Sequence, residues 1–390
     1  MEMVYLNDVF EFVRNGASIK QSDEKKGFPI TRIETIWNET IDVNRFGYAD
    51  LYEDDLKKYE KYLMQDGDIL MTHINSPKHL GKCALYNSVP DKLIHGMNLL
   101  CLRPNKEISH SSFLKYYFNS TFFKTQLPKI SNQSVNQASF SAGNLKKLKI
   151  PLPPLAEQKH IAAILDAADS YRQQTRQTLD KYNQLAQSIF LDMFGDPVTN
   201  PMGWEKVEFK ELFEQGKVSI KPENIIIGDK YIGLEHIEKV TGGIIEIVEL
   251  EKNELKSNKF WFNEEYVLYG KLRPYLNKVA VPNFEGICST DIIPFKPIKD
   301  KSTKSFLVYL MRGNWFVNFA NENTSGANLP RISPKEINKF RTINPPIQLQ
   351  NQFANKIANI EAQKATTQQE LAQANNLFNA LLQKAFKGQL

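Results

Sequence analysis

The second half of this chain repeats the motif order of the first half, and this repetition constrains the fold more than any single motif does. Five short motifs occur twice in the same order, at offsets that drift only from 201 to 192 residues. They are SIK at 18–20 and 219–221, ITRIETI at 30–36 over YIGLEHI at 231–237, GMNLLCLRP at 96–104 over STDIIPFKP at 289–297, SFL at 112–114 and 305–307, and the diprolines at 153–154 and 345–346. Chance recurrence of common turn residues is the alternative, but the shared order of all five predicts a tandem duplication. A length of 390 residues suits two or more domains.

Each repeat opens with a strand-rich globular region, which we place at residues 1–153 and 196–344. Short β-branched and aromatic runs alternate there with Gly, Pro and Asn turns, as in GDILMTHI at 67–74 and YVLYGKLRPYLNKVAV at 266–281. A few segments, such as SSFLKYYFNSTFFKTQL at 111–127, have a helical pattern. We therefore expect an α+β fold with two mixed α/β domains related by pseudo-two-fold symmetry.

Each repeat closes with a helix of roughly 35 to 38 residues, within residues 154–195 and 345–390. One stripe of side chains in each helix alternates steps of three and four residues, and each member of the second stripe stands 192 residues after its counterpart. The stripes are Leu165, Ala168, Arg172, Thr175, Leu179, Tyr182, Ala186, Ile189 and Met193, and Ile357, Ile360, Lys364, Thr367, Leu371, Ala374, Phe378, Leu381 and Ala385. A sustained 3.5-residue period is typical of coiled-coil pairing. The predicted contacts of the coiled coil and its partners are Leu165, Leu179, Tyr182, Ile189, Ile357, Ile360, Leu371, Phe378 and Leu381.

The order of these four segments sets the direction of pairing. The first globular region leads into the first helix, and the second region follows the far end of that helix and leads into the second helix. If the two helices pair, the second must therefore run back toward the first region. Proline in the first turn of a helix loses no internal hydrogen bond, so Pro154 and Pro346 mark the two helix starts. The prediction is an antiparallel coiled coil that separates two globular domains.

Composition excludes several classes of protein. Hydrophobic residues at 42% and charged residues at 24% describe a globular chain, and a net charge of +5 permits nucleic-acid binding without requiring it. Cys83, Cys101 and Cys288 lie far apart and show no CxxC spacing, which predicts reduced thiols rather than a disulfide framework or a zinc site. With no basic-then-apolar leader and no apolar run of 18 residues, we expect a cytoplasmic protein without membrane contact.

Two motifs at the ends of the first helix carry a family resemblance. PLPPLAEQKHIA at 151–162 and MFGDPVTNPMGW at 193–204, together with the second copy of the whole, resemble the DNA-specificity subunit of type I restriction-modification systems. The resemblance spans essentially the entire chain. The second copy departs from the pattern, because NPPIQLQNQ has Leu349 where the first copy has Glu157.

The resemblance implies a non-catalytic subunit that reads a bipartite, asymmetric target in double-stranded DNA. Each globular region would be a target-recognition domain for one half-site. The helices would dock two methyltransferase subunits, and restriction subunits that act as motor and nuclease would add to the complex. No cofactor is expected in this chain, since S-adenosylmethionine, ATP and Mg²⁺ would belong to the partner subunits. The alternative is a non-enzymatic coiled-coil scaffold with two protein-binding domains, which DNA binding would distinguish.

Candidate DNA contacts lie in loops rich in Lys, Arg, Asn, Gln and Ser, the side chains that bind phosphates and base edges. Two clusters are predicted in each region: HINSPKHLGK at 73–82 with SNQSVNQAS at 131–139, and KLRPYLNK at 271–278 with NTSGANLPR at 323–331. The candidate residues are Lys20, Lys78, His79, Lys82, Gln133, Asn136, Gln137, Lys221, Lys271, Arg273, Tyr275, Lys278, Ser325, Asn328 and Arg331. For each of them a solvated loop without a DNA role is the alternative.

Other motifs favour no catalytic or metal chemistry. NPPI at 344–347 is similar to the NPPY motif of amino-methyltransferases, but it lacks the aromatic residue and falls on a helix start in the repeat alignment. The six histidines, at 73, 79, 95, 110, 160 and 236, show no metal-ligand spacing, and no GxxxxGK[ST] motif is present. The repeated Glu34 and Glu235 are expected to be structural, each paired with a nearby cation.

Overall fold

A computed structural model describes residues 2–134, 137–251 and 255–390 of the chain. It divides into two compact units, one formed by Met1–Gln174 with Glu370–Leu390 and the other by Thr175–Gln369. The division falls within both long helices, so each unit contains one globular region and a segment of each helix. The partition of the chain into four consecutive domains stays a prediction.

The first repeat begins with short strands and small helices and ends in one long helix. In chain order its elements are β1 (Glu2–Tyr5), α1 (Leu6–Val9), β2 (Phe10–Asn15), β3 (Phe28–Ile30), β4 (Ile36–Trp37), β5 (Thr40–Ile41), β6 (Gly47–Ala49), α2 (Glu53–Tyr59), β7 (Ile69–Thr72), β8 (Ile74–Asn75), β9 (Cys83–Leu85), β10 (Leu99–Pro104), α3 (Ser111–Asn119), α4 (Thr121–Lys124), β11 (Asn132–Gln133), β12 (Ala138–Ser139), α5 (Ala142–Lys146), β13 (Lys149–Leu152) and α6 (Leu155–Phe194).

The second repeat follows a similar order of elements. They are β14 (Lys206–Glu208), β15 (Phe213–Gln215), β16 (Ser219–Ile220), β17 (Lys230–Ile232), β18 (Val248–Glu249), β19 (Lys259–Phe262), β20 (Val267–Gly270), β21 (Val279–Ala280), β22 (Gly286–Cys288), β23 (Ile292–Pro297), α7 (Lys304–Arg312), α8 (Asn314–Glu322), β24 (Thr324–Ser325), β25 (Arg331–Ile332), α9 (Pro334–Asn338), β26 (Arg341–Ile343) and α10 (Ile347–Phe386).

Both units contain a four-stranded antiparallel sheet of the same strand order. This order is β2-β10-β7-β9 in the first unit and β15-β23-β20-β21 in the second. Strands β7 and β20 bury every residue, which explains their continuous apolar sequences ILMT and VLYG. The outermost strands of each globular region also pair, β1 with β13 and β14 with β26. The repeated sheet confirms the predicted α+β fold and its tandem repeat.

The two units differ beside this common sheet. The second unit has a five-stranded sheet of order β16-β19-β22-β17-β18, in which β17 and β22 are parallel. The corresponding stretch of the first unit forms the short pairs β3–β6 and β4–β5 instead. The repeated framework therefore carries different additions in the two halves.

The long helices α6 and α10 run in opposite directions in each unit. In the first unit the guanidinium carbon of Arg172 lies 3.9 Å from the centroid of the Phe378 ring, so the first half of α6 packs against the last part of α10. In the second unit the rings of Phe190 and Phe353 lie 5.7 Å apart, so the end of α6 packs against the start of α10. Each helix is 40 residues long and begins directly after the expected diproline. The predicted antiparallel pairing is confirmed.

The stripe of alternating three- and four-residue steps, which we call the seam, is the inward face of both helices. All of its members are buried or half-buried. The charged members are paired at equivalent places in the repeat: Arg172 binds Asp169 at 2.6 Å, and Lys364 binds Glu361 at 2.9 Å. The side chains of Arg172 and Lys364 are only 12% and 11% exposed, so in each helix a carboxylate one turn away compensates a largely buried cation. No helix in the described part of the chain has the length and apolarity to cross a membrane.

Candidate nucleic-acid interface

In the first unit the structure brings the two predicted loop clusters together. Strand β12 pairs with β8, so that Ala138 lies opposite Asn75, and with β11 on its other side. The Phe140 N–H donates to the His73 carbonyl at 3.0 Å and extends the contact. Strands β11 and β12 of the second cluster therefore lie along the start of the loop at 73–82.

The second unit repeats this arrangement with a different sequence. Leu272 pairs with Arg331, and the Arg273 N–H donates to the Pro330 carbonyl at 2.7 Å. The Ile332 N–H donates to the Lys271 carbonyl at 3.1 Å, as Phe140 does to His73 in the first unit. The repeat alignment of the four clusters therefore corresponds to a real structural equivalence.

A single 3-10 turn that begins at proline forms the tip of each loop. It covers Pro77–His79 in the first unit and Pro274–Leu276 in the second. Proline fits the first position because its fixed φ suits the turn and its missing N–H is not needed there. Lys78 is exposed at one tip, and Tyr275 is exposed at the corresponding position of the other. The two tips therefore share a backbone form but present different chemistry.

The candidates of the first unit fall into exposed and partly buried groups. Lys20, Lys78, Gln133 and Gln137 are exposed, whereas His79 and Lys82 are half-buried. Burial, with the nearby cations Lys82 and Lys78, lowers the pKa of His79, so its ring is neutral at pH 7. Asn136 lies outside the described residues.

The candidates of the second unit also fall into exposed and partly buried groups, and the exposed Lys221 lies 4.0 Å from the Glu223 carboxylate. Lys221, Arg273, Tyr275, Ser325 and Asn328 are exposed.

Lys271, Lys278 and Arg331 are half-buried. The Lys278 ammonium donates to the Leu234 carbonyl at 2.6 Å, and burial lowers its pKa. The Arg331 guanidinium binds both carboxylate oxygens of Asp291, at 3.0 and 3.2 Å. Lys278 and Arg331 therefore hold the loop and its hairpin in place.

The backbone of the second loop is strained at both ends of its turn. Arg273 and Asn277 have left-handed φ angles of 52° and 48°, a conformation that costs a non-glycine residue roughly 1–2 kcal/mol. The Asn277 side chain donates to the Arg312 carbonyl at 2.8 Å, and the buried Arg312 guanidinium donates to the Val279 carbonyl at 2.7 Å. These contacts hold the strained turn.

Sequence reasoning missed the supporting residues Asp291 and Arg312, and it did not single out Asn277 within the cluster at 271–278. A usable signal existed for Asp291, because the aligned motif GMNLLCLRP has Asn98 at that position. The acid Asp291 in the second copy and the neutral amide Asn98 in the first indicate that only the second unit has a charged partner at this position. That partner is Arg331.

The repeated glutamates behave differently in the two units. The Glu235 carboxylate lies 3.7 Å from the ring of His236. Within the described residues, Glu34 is exposed and forms no ion pair, so the expected cation is absent there. Over the same ranges no group of three or more His, Cys, Asp or Glu side chains is placed to hold a metal ion.

Comparison with known proteins identifies the family. A family model described as "Type I restriction modification DNA specificity domain" matches residues 1–184. The putative type I restriction enzyme MjaX specificity subunit of Methanocaldococcus jannaschii is 31% identical over 374 residues, which cover 92% of this chain and 86% of that protein. The chain belongs to the type I restriction-modification specificity subunits.

Further relatives agree with this assignment. The type I restriction enzyme EcoDI specificity subunit of Escherichia coli is 31% identical over 164 residues, 41% of this chain and 36% of that protein. The crystal structure of a type I restriction-modification S subunit from M. genitalium covers 99% of this chain and 96% of its own, with a TM-score of 0.54 at 15% identity. A chain from a study of complex assembly and conformational transition in a type I system covers 100% and 98%, with a TM-score of 0.50 at 16% identity. At such identities the two structures support the fold.

This specificity subunit also exposes apolar side chains on its long helices, away from the seam. Leu185 on α6 and Leu377 on α10 are 47% and 54% exposed, and they stand 192 residues apart. Seam residues such as Leu165 and Phe378 are buried within the chain, which leaves them little surface for a second protein. Sequence reasoning assigned seam residues to the contact with partners and did not single out this repeated leucine.

Proposed function

We propose that this chain reads DNA for a type I restriction-modification complex, with each globular region binding one half of a split target. The observation that carries the proposal is the repeated pairing of a basic loop with short polar strands, the loop at 73–82 with β11 and β12 and the loop at 271–278 with the segment at 323–331. Since the two tips present different side chains, the two half-sites should differ and the target should be asymmetric.

Two kinds of contact are needed at each half-site. Lys20, Lys78 and Lys271 are suited to phosphates, which fix position and make affinity fall with salt. Gln137 and Arg273 are suited to base edges, which carry sequence information. Lys278 and Arg331 serve better as supports, because each is already bound within the chain.

We assign the distance between the half-sites to the paired helices. Readers that enter successive major-groove faces on one side of a duplex must be about 34 Å apart. A helix of 40 residues spans about 60 Å, which is long enough to act as a spacer. The seam would keep this spacer rigid.

We assign all catalysis and every cofactor to partner subunits in the cytoplasm. Two methyltransferase subunits would use S-adenosylmethionine, and restriction subunits would use ATP and Mg²⁺. The NPPI segment supports this division, because it leads directly into α10 and its Pro345 carbonyl accepts a hydrogen bond from Gln350. This position suits a helix start better than a base-binding pocket.

The deciding experiment compares the chain alone with the chain assembled with its methyltransferase subunits and S-adenosylmethionine. We expect adenine methylation at one bipartite sequence from the assembly and none from the isolated chain. Sequence-specific methylation by the isolated chain would contradict the assignment of catalysis to the partners. An assembly that forms but binds no defined DNA would favour the scaffold with two protein-binding domains.

A further inference from the structure

The second globular region presents one exposed guanidinium on a fixed stretch of backbone. We propose that Arg273 reads a guanine in the half-site bound by this region. The inference rests on the proposed function and adds to it the identity of one base.

Backbone contacts on both sides hold Arg273 in position. Its N–H donates to the Pro330 carbonyl at 2.7 Å, and its carbonyl accepts the Leu276 N–H at 2.9 Å. The residue before it pairs with Arg331 of the hairpin, and Pro274 after it is buried with a restricted φ. Its own left-handed φ is uncommon for residues other than glycine, and the surrounding contacts hold it there. The Cα–Cβ direction of Arg273 is therefore set by the loop.

Two of the neighbouring cations are bound within the chain. Lys278 is tied to a backbone carbonyl, and Arg331 is bound to Asp291. Lys271 is half-buried. Within the described residues, the exposed Arg273 guanidinium forms no ion pair or hydrogen bond. It is the group of this loop best placed to meet an incoming ligand.

The chemistry of the guanidinium selects guanine among the purines. Arginine has only hydrogen-bond donors, held in a planar fork. Guanine offers the two acceptors O6 and N7 in the major groove, whereas adenine offers N7 beside an amino donor. A planar fork on a fixed backbone suits this paired recognition, which the compact ammonium of a lysine cannot provide.

The first unit lacks this device. The residue that precedes its 3-10 turn is Ser76, which has an ordinary extended backbone with φ −61° and ψ 153°. The guanine requirement is therefore expected only in the half-site of the second region, which makes the inference specific to one side of the target.

The test uses the complete chain assembled with its methyltransferase subunits and a randomised DNA library, in which methylated sites are sequenced. We expect the unsubstituted assembly to require G at one position of this half-site. Replacing Arg273 should change the base preference at that position. Arg273→Lys keeps the charge and loses the fork, so discrimination at that position should fall about 5- to 150-fold, the range of one bidentate contact. Arg273→Gln should move the preference toward A, since the glutamine amide pairs with adenine. The control is Lys299→Ala, which removes an exposed charge two residues after the end of β23. It should change the base preference at no position of the target.

Two results would overturn the guanine assignment while leaving the proposed function intact. One is a defined bipartite target in which no G depends on Arg273. The other is that Arg273→Ala weakens binding to all DNA sequences equally and lowers the slope of log affinity against log salt by about one, as the loss of one phosphate contact would. If the unsubstituted assembly instead recognises no bipartite sequence, the proposed function itself fails.

Discussion

Gln158 and Gln350 stand 192 residues apart and make the same three hydrogen bonds at the starts of the two long helices. The Gln158 amide nitrogen donates to the carbonyls of Pro153 and Ile108 at 2.8 and 2.9 Å. Its oxygen accepts the His110 N–H at 2.9 Å. The side chain therefore ties the start of α6 to the segment that leads into α3.

Gln350 repeats this pattern in the second unit. Its amide nitrogen donates to the carbonyls of Pro345 and Lys301 at 2.9 and 3.0 Å, and its oxygen accepts the Thr303 N–H at 3.1 Å. Both glutamines are fully buried. Each one anchors a long helix to its own globular region by satisfying backbone groups that water cannot reach.

We expect Gln158→Leu and Gln350→Leu each to lower the free energy of unfolding by at least about 2 kcal/mol, because each buried polar group left unsatisfied costs roughly 1–3 kcal/mol. Thermal or urea denaturation of the purified chain measures the change. Gln177→Leu on the exposed side of α6 is the matched control and should have little effect. Equal midpoints for the buried and the exposed substitutions would show that the repeated hydrogen bonds add no stability.

His95 should make the chain sensitive to acid. Its ring is buried, its Nε2 lies 2.9 Å from the Leu99 carbonyl oxygen, and burial lowers its pKa to about 4. The unfolded chain takes up a proton below about pH 6.5 while the folded chain does not. The free energy of unfolding should therefore fall as the pH drops below about 6.5. This decrease should end near pH 4, where it should total roughly 3 kcal/mol.

Urea denaturation at several pH values tests the role of His95. His95→Gln should reduce the slope of stability against pH between 4 and 6.5, whatever its effect at neutral pH. His160→Gln changes an exposed histidine of α6 and should leave the slope in place. An unchanged slope in His95→Gln would assign the acid sensitivity to other groups.

Leu185 and Leu377 should form two equivalent docking points for methyltransferase subunits. Burial of a leucine contributes about 1.5–3 kcal/mol, so a glutamate at either position should weaken the binding of one subunit. Light scattering of the purified complex should show one bound methyltransferase for each single substitution and none for the pair. The controls Gln184→Glu and Asn376→Glu add the same charge at exposed neighbouring positions. Equal losses in variants and controls would indicate a charge effect without a specific contact.

The length of the helices should set the gap in the DNA target. Four residues inserted after Gln177 lengthen α6 by about 6 Å, which corresponds to one or two base pairs at ~3.4 Å each. A second insertion after Gln369, the equivalent position of α10, lengthens both helices equally and should avoid a bulge in the seam. Mapping methylated sites should show a longer gap with unchanged half-sites. An unaltered gap in the double insertion would mean that the helices do not measure the distance.

The periodic and repeated features of this protein could be predicted from its sequence. Helix starts and seams depend on residues within a few positions of each other, so Pro154, Pro346 and the alternating three- and four-residue steps were sufficient to place α6 and α10. Chain order then required antiparallel pairing. The loop clusters could also be matched between the halves, because a duplication keeps the order of its elements.

Only the tertiary structure decided which residues of those clusters are free. In sequence, Lys278 and Arg331 resemble Arg273, since all three are basic residues in polar loops. The fold ties Lys278 to Leu234, 44 residues away, and Arg331 to Asp291, 40 residues away. Such partners are brought together by the folding of distant segments, and no local pattern records them. The sequence determined the repeated framework, and the long-range contacts of the fold left Arg273 exposed and without a partner among the residues that the structure describes.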